Sequence, residues 1–202
     1  MENELHKTIS ITEKVSHRVL HMLIKNEDIS RVEYLKCKLA IEVFFLNVSK
    51  ISLIYLIALC LKILVPVIIF HISFMIIRTY AYGAHAKTSF QCTLLSCFQL
   101  VGIPYLIVEG GQVTKLTLIT LVILNFLILY KYGPTGTKKN PITNMDKIRN
   151  LKMKALKMNL FILVVVVLSS SLLIANLIAI GSFTACVMLL PTTYKLLTGD
   201  YV

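Results

Sequence analysis

The chain has 202 residues, 56% of them hydrophobic, with a mean hydropathy of +0.77. A soluble domain of this length cannot bury so much apolar surface, so the composition points to a single all-α, polytopic integral membrane domain. The net charge of +11 is what basic residues flanking membrane helices and facing anionic lipid headgroups produce, and it calls for no nucleic acid partner.

The N-terminal MENELHK has no apolar core of the kind a cleaved secretory signal needs, so insertion is expected to come from the membrane segments themselves. Residues 1–38 are balanced in charge. Ile11, Val15, Val19 and Met22 or Leu23 recur at helical spacing, with Lys14, His17, Arg18, His21 and Lys25 on the opposite face. That pattern predicts an amphipathic helix lying in the membrane interface. His17 and His21 are four apart, but HRVLH lacks the glutamate of a metalloprotease motif and no third ligand is apparent. A solvated face accounts for them, and neither metal nor other cofactor is expected. A second short amphipathic piece, Ile29 to Lys38, leads into the membrane.

Six apolar segments follow over residues 39–197, so four to six membrane helices are expected. The first, Leu39 to Leu61, carries Glu42, Asn47 and Lys50 in its first half, which suits an interfacial or protein-facing position. The second, Ile63 to Ile77, and the third, Thr93 to Val108, are each shorter than the roughly twenty residues a span needs. They are expected to be tilted, membrane-thinning or re-entrant, with kinks at Pro66 and Pro104.

Between them lies RTYAYGAHAKTSFQC, Arg78 to Cys92. Tyr82-Gly83-Ala84 is expected to turn, because glycine accepts positive φ. Thr88 to Gln91 has the form of a capping box, placing Cys92 in the first turn of a helix, where unpaired N–H groups and the helix dipole favour a thiolate. His85 is seven residues away, about 10 Å on a continuous helix, too far for proton transfer. The turn before His85 and the cap after it allow the imidazole to fold back over the helix start and act as base to Cys92. Gln91 reads as the cap, with a backbone amide or Gln91 itself as the alternative oxyanion donor. From chemistry alone, a lone His and a lone Cys such as His85 and Cys92 are more often packing or loop residues than a catalytic dyad.

A small turn, Glu109 to Gln112, precedes the fourth segment, Leu116 to Tyr130. Lys131 to Met158 is the most basic stretch, with eight Lys or Arg against Asp146 alone. The fifth segment, Leu160 to Ile180, carries no charge. Gly181 and Ser182 are expected to turn the chain into the sixth, Phe183 to Leu197, interrupted by Pro191. The five cysteines show no metal spacing, and reduced thiols are expected, with Cys60, Cys97 and Cys186 behaving as small hydrophobes.

The stretch Arg78 to Cys92 resembles the signature of the AgrB family, accessory gene regulator protein B, on Arg78, Ala81, Gly83, Ala84, His85, Ala86, Ser89, Phe90 and Cys92. A second match, YGPTGTKKNPI, spans Tyr132 to Ile142. The resemblance implies a membrane cysteine endopeptidase of peptide quorum sensing, with His85 and Cys92 as the catalytic pair and Arg78 and Gly83 in the surrounding pattern. It also implies an AgrD-like precursor of the autoinducing peptide as partner, alongside membrane lipids, and a homodimer. In such a reaction the precursor's C-terminal tail is released, and a cysteine of the peptide closes a thiolactone ring. An exporter of the peptide, or a scaffold without peptidase chemistry, is the alternative; no inverted repeat and few charges at membrane depth favour a transport path.

The positive-inside rule places Lys131 to Met158 in the cytoplasm. Counting membrane passes then puts Arg78 to Cys92 and both termini there as well.

Overall fold

The computed structural model describes residues 30–84, 88–136 and 144–198. The expected interfacial helix with His17 and His21, the segment 85–87 that carries His85, and Lys138 and Lys139 of the basic loop lie outside those residues. The chain divides after Leu53 into two compact units.

The first unit is described from Ser30, where α1 (Arg31–Cys60) begins. Ser30 and Glu33 form a capping box. The Ser30 Oγ accepts from the Glu33 N–H at 3.3 Å, and Oε2 of Glu33 accepts from the Ser30 N–H at 3.1 Å. The helix then runs unbroken, so the separate amphipathic piece expected over Ile29 to Lys38 and the first apolar segment are one element. Glu42 pairs with Lys38 one turn earlier at 3.7 Å, which accommodates a carboxylate on an apolar helix.

The second unit contains the end of α1 and seven further helices: α2 (Leu64–Ala81), α3 (Ser89–Cys97), α4 (Ile103–Val108), α5 (Lys115–Tyr132), α6 (Met145–Leu168), α7 (Leu172–Val187) and α8 (Pro191–Thr198). One π-turn, Phe98–Gly102, joins α3 to α4. Thr88, Thr114, Asn144 and Ser171 each cap the helix that follows them with a side-chain oxygen.

The short segments prove longer than expected, because the helices continue through their polar ends. Helices α1, α2, Phe90–Val108 and α5 are each long and apolar enough to cross a membrane; α7 and Pro191–Leu197, bent by 70°, make a fifth candidate. Pro66 does not kink α2. It sits in the first turn, where its missing N–H has no intrahelical acceptor to lose. Pro104 follows the π-turn, which takes up the mismatch its ring would otherwise cause.

The largest correction concerns the fifth segment. The chain breaks at Ser169–Ser171, where Ser169 Oγ donates to the Ser171 carbonyl and Ser171 Oγ caps the Ile174 N–H. It runs straight through Gly181 and Ser182 as part of α7. Gly181 is there for close approach: a Cβ on it would lie 2.8 Å from the Phe70 carbonyl oxygen of α2. One turn away, Ser73 Oγ donates to the Ile178 carbonyl at 2.6 Å.

Small residues and polar bonds carry the packing because lipid tails are as apolar as leucine, so helix association gains little from burial alone. Asn125 donates to Ser182 Oγ at 3.1 Å, and Asn159 donates to the Val122 carbonyl at 3.0 Å. Around them, Ile77, Leu118, Val122, Leu129, Ile162 and Val166 form the main apolar core of α2, α5, α6 and α7. Asn176 accepts from the Val113 N–H and donates to the Val113 carbonyl, tying the α4–α5 loop to α7, and Lys115 Nζ reaches the Ser169 carbonyl. These bonds gather the α4–α5 and α6–α7 connections at one end of the bundle.

Replacing Gly181 with alanine is expected to force α2 and α7 apart, because the clash is with backbone rather than a movable side chain. A loss of about 1–3 kcal/mol is expected, read as a lowered thermal midpoint of the purified protein in detergent. An unchanged midpoint would show that the two helices are not in close contact.

Candidate active site

The opposite end of the bundle holds the stretch Arg78 to Cys92. Arg78 is in the last turn of α2 rather than in a polar interruption, and its carbonyl accepts the Tyr82 N–H at 3.0 Å. The chain then reverses through two residues with positive φ, Tyr82 at 58° and Gly83 at 116°. Only Gly83 was expected to take up such a conformation. Tyr82 pays a steric penalty there, of a kind that clusters at functional sites.

Ala84 is gripped at both backbone atoms. Its N–H donates to the Met188 carbonyl at 2.9 Å, and its carbonyl accepts from Nη2 of Arg78. Nη1 of the same guanidinium is buried with no hydrogen-bond partner among the described residues. A Cβ on Gly83 would stand 2.5 Å from that nitrogen and 3.0 Å from the Met188 oxygen. Gly83 therefore serves both the turn and the space in which Arg78 lies. The guanidinium carbon is also 6.0 Å from the centre of the Phe74 ring.

On the far side of residues 85–87, Thr88 opens α3. Its extended backbone (φ −110°, ψ 152°) and its Oγ1, accepting from the Gln91 N–H at 3.2 Å, make the backbone half of the expected cap. The Gln91 side chain is exposed. The Cys92 N–H donates to the Thr88 carbonyl at 3.0 Å, so this amide is engaged within the helix and is not one of the free donors expected at its start.

Phe90, Leu94 and Phe98 recur every fourth residue and are all strongly exposed, which marks the outer stripe. Cys92 is two residues from Phe90 and from Leu94, about 200° around the helix, and so lies on the inner side. It is half-buried, and the Arg78 guanidinium is within electrostatic range of its sulfur and of the Tyr194 phenol.

The two sequence motifs meet at this end. Thr135, in the described front of the second motif, forms a parallel bridge with Tyr82, and its N–H donates to the Ala81 carbonyl at 3.1 Å. Tyr82, Thr135 and Met188 are thus gathered at one end; the count of membrane passes required this of the first two, whereas Met188 was expected within the sixth segment. Sequence reasoning missed Met188, Thr135 as a contact, and Tyr194. All three act through backbone bonds or lie far along the chain, and only the bend between α7 and α8 brings the C-terminal pair here.

The one histidine among the described residues, His71, belongs elsewhere. Its Nδ1 is 2.9 Å from the Tyr55 hydroxyl, on a groove of about 460 Å³ that Met75, Thr79 and Met158 also line and Cys92 does not. All five cysteines are free; Cys186 is buried, while Cys60 is exposed.

Substituting Gly83 with alanine is expected to displace Arg78 from Ala84. Activity should fall by at least tenfold with folded protein still recoverable, measured as turnover per mole of protein that elutes as a monodisperse species. Full turnover in Gly83→Ala would mean that the Arg78–Ala84 contact is dispensable.

The family model described as accessory gene regulator B matches residues 16–189. An AgrB-like protein of Clostridium acetobutylicum is 29% identical over 192 residues, covering 95% of this chain and 91% of its own length. Accessory gene regulator protein B of Staphylococcus intermedius is 37% identical over 134 residues, covering 66% and 70%. An AgrB-like protein of Listeria monocytogenes is 30% identical over 191 residues, covering 93% and 92%. No solved structure matches the chain.

Proposed function

The chain belongs to the accessory gene regulator B family, and from that membership and the geometry around Cys92 we propose that it is a membrane cysteine endopeptidase of peptide quorum sensing. Its substrate is an AgrD-like precursor of the autoinducing peptide, presented at the cytoplasmic face. The basic stretch from Lys131 to Met158 supplies the sidedness through the positive-inside rule.

His85 takes the proton of the Cys92 thiol, and the sulfur attacks a peptide carbonyl of the precursor. Negative charge develops on the carbonyl oxygen close to Arg78, a fixed cation held in place by Ala84. As the tetrahedral species collapses the C–N bond breaks, and His85 returns its proton to the departing amine of the C-terminal tail. The rest of the peptide remains as a thioester on Cys92. A thiol of the peptide then attacks that carbonyl, the bond to Cys92 breaks, and the proton returns to the enzyme sulfur as the thiolactone closes. One thioester replaces another, so the exchange is nearly isoenergetic and needs no ATP. Water must be kept from the intermediate, which an inward-facing sulfur at a membrane surface favours.

The observation that carries this reading is that both flanks of residues 85–87 are anchored, Ala84 by Arg78 and Met188 and Thr88 by its cap, with Cys92 on the inner side of the helix that follows. In sequence, His85 directly follows the anchored Ala84 and precedes the Thr88 cap by three residues.

Purified protein in lipid vesicles is expected to release the tail of a precursor peptide, and Cys92→Ala and His85→Ala to release none. Transport of intact peptide without cleavage would favour an exporter instead. The acidic tail that such precursors carry is expected to be drawn by the basic stretch. Neutralising Lys138, Lys139 and Lys147 together should raise KM several-fold at low salt and progressively less as salt increases. A KM that does not move would remove that attraction from the account.

A further inference from the structure

We propose that Tyr194, on α8, is a positioning residue for this reaction; the inference rests on the peptidase reading above. It fixes the second motif against the end of α2, from which the chain runs on toward His85.

The α8 helix is brought over the site by the 70° bend that follows Val187. Without it, Tyr194 would lie about 10 Å further along the α7 axis. The bend is pinned by the chain itself. Thr193 Oγ1 donates to the Val187 carbonyl at 2.7 Å, and the Met188 carbonyl holds the Ala84 N–H. Tyr194 is only 3% exposed, whereas Leu196, two residues on, is 85% exposed. The helix therefore turns its tyrosine inward and its leucine outward.

A buried phenol needs a partner for its O–H, and the Tyr194 hydroxyl donates to the Thr135 carbonyl at 3.3 Å. Thr135 is thus held on both backbone atoms. Its carbonyl accepts from Tyr194, and its N–H donates to Ala81, the last residue of α2. The same phenol lies within electrostatic range of the Arg78 guanidinium, whose Nη2 grips Ala84. Tyr194 therefore adjoins two supports of the turn that leads toward His85, the Thr135–Ala81 bond and the Arg78 grip on Ala84. Its contribution is the direction in which the loop leaves α2, and hence the fraction of time in which base and sulfur are aligned.

The test is Tyr194→Phe, which keeps the buried ring and removes only the hydroxyl. One buried hydrogen bond is expected to be worth a three- to tenfold change. Tail release by the protein in lipid vesicles should show kcat lowered by about that factor, with KM for the precursor altered less than twofold and the thermal midpoint lowered by no more than about 4 °C. Without substrate, alkylation of Cys92 by iodoacetamide, followed by mass spectrometry, should change in rate relative to exposed Cys60 in the same molecule. Parental kcat in the Phe variant would overturn the proposal. So would a loss of kcat accompanied by an equal rise in KM and a midpoint lowered beyond that limit, which marks a purely structural role. If the parental chain releases no tail, or Cys92→Ala releases it equally fast, the peptidase reading itself fails and this inference with it.

Discussion

Ala84 is held at both of its backbone polar atoms, and the rest of the site follows from that grip. Arg78 reaches up from the end of α2 to its carbonyl, while Met188 accepts its N–H from the turn after α7. Near a membrane, backbone groups that leave helical pairing must find partners within the protein. The two partners chosen here come from elements that are a hundred residues apart in sequence. The loop before His85 is thereby fixed to the body of the bundle, and Gly83 is the condition for it, since any side chain there would occupy the place of the guanidinium.

The bundle that carries this grip is held by shape and by a few buried amides rather than by apolar burial. Gly181 lets α7 approach α2 closely enough for Ser73 to bond across, and Asn125, Asn159 and Asn176 tie α5, α6 and the α4–α5 loop to their neighbours. The α2–α7 pair matters to the candidate site because Arg78 lies in the last turn of one helix and Met188 just past the end of the other. A shift between them would separate the two groups that hold Ala84.

Much of this was legible in the sequence. The alternation of apolar segments and loops predicts that the two motifs share one end, and Thr135 joined to Ala81 bears this out. Thr88 announces its cap because a hydroxyl three residues before a glutamine is a local signal with a local cause. The failures have a common origin in reading single residues without their neighbours. Gly181 looked like a turn, since glycine weakens helices, but the close passage of Phe70 gives it another use. The true break, at Ser169–Ser171, is made of residues that membrane helices tolerate, and its signal is the caps they form. Pro66 suggests a kink by itself, because its place in the first turn depends on where α2 begins. Ser30 and Glu33 form a capping box of the same kind, a local signal that the balanced charge of residues 1–38 obscures. Tyr194 and Met188 had no signal at all, since their role arises from a bend and from a backbone carbonyl.

The account rests on a covalent bond between Cys92 and the precursor. The direct test is to mix the protein in lipid with an excess of a precursor whose own ring-forming cysteine is replaced by serine, quench rapidly in acid and measure intact mass. The expected result is an adduct equal to the peptide without its C-terminal tail, located on Cys92 and removed by neutral hydroxylamine. Release of the tail with no such adduct at any quench time, or an adduct located on another residue, would contradict it.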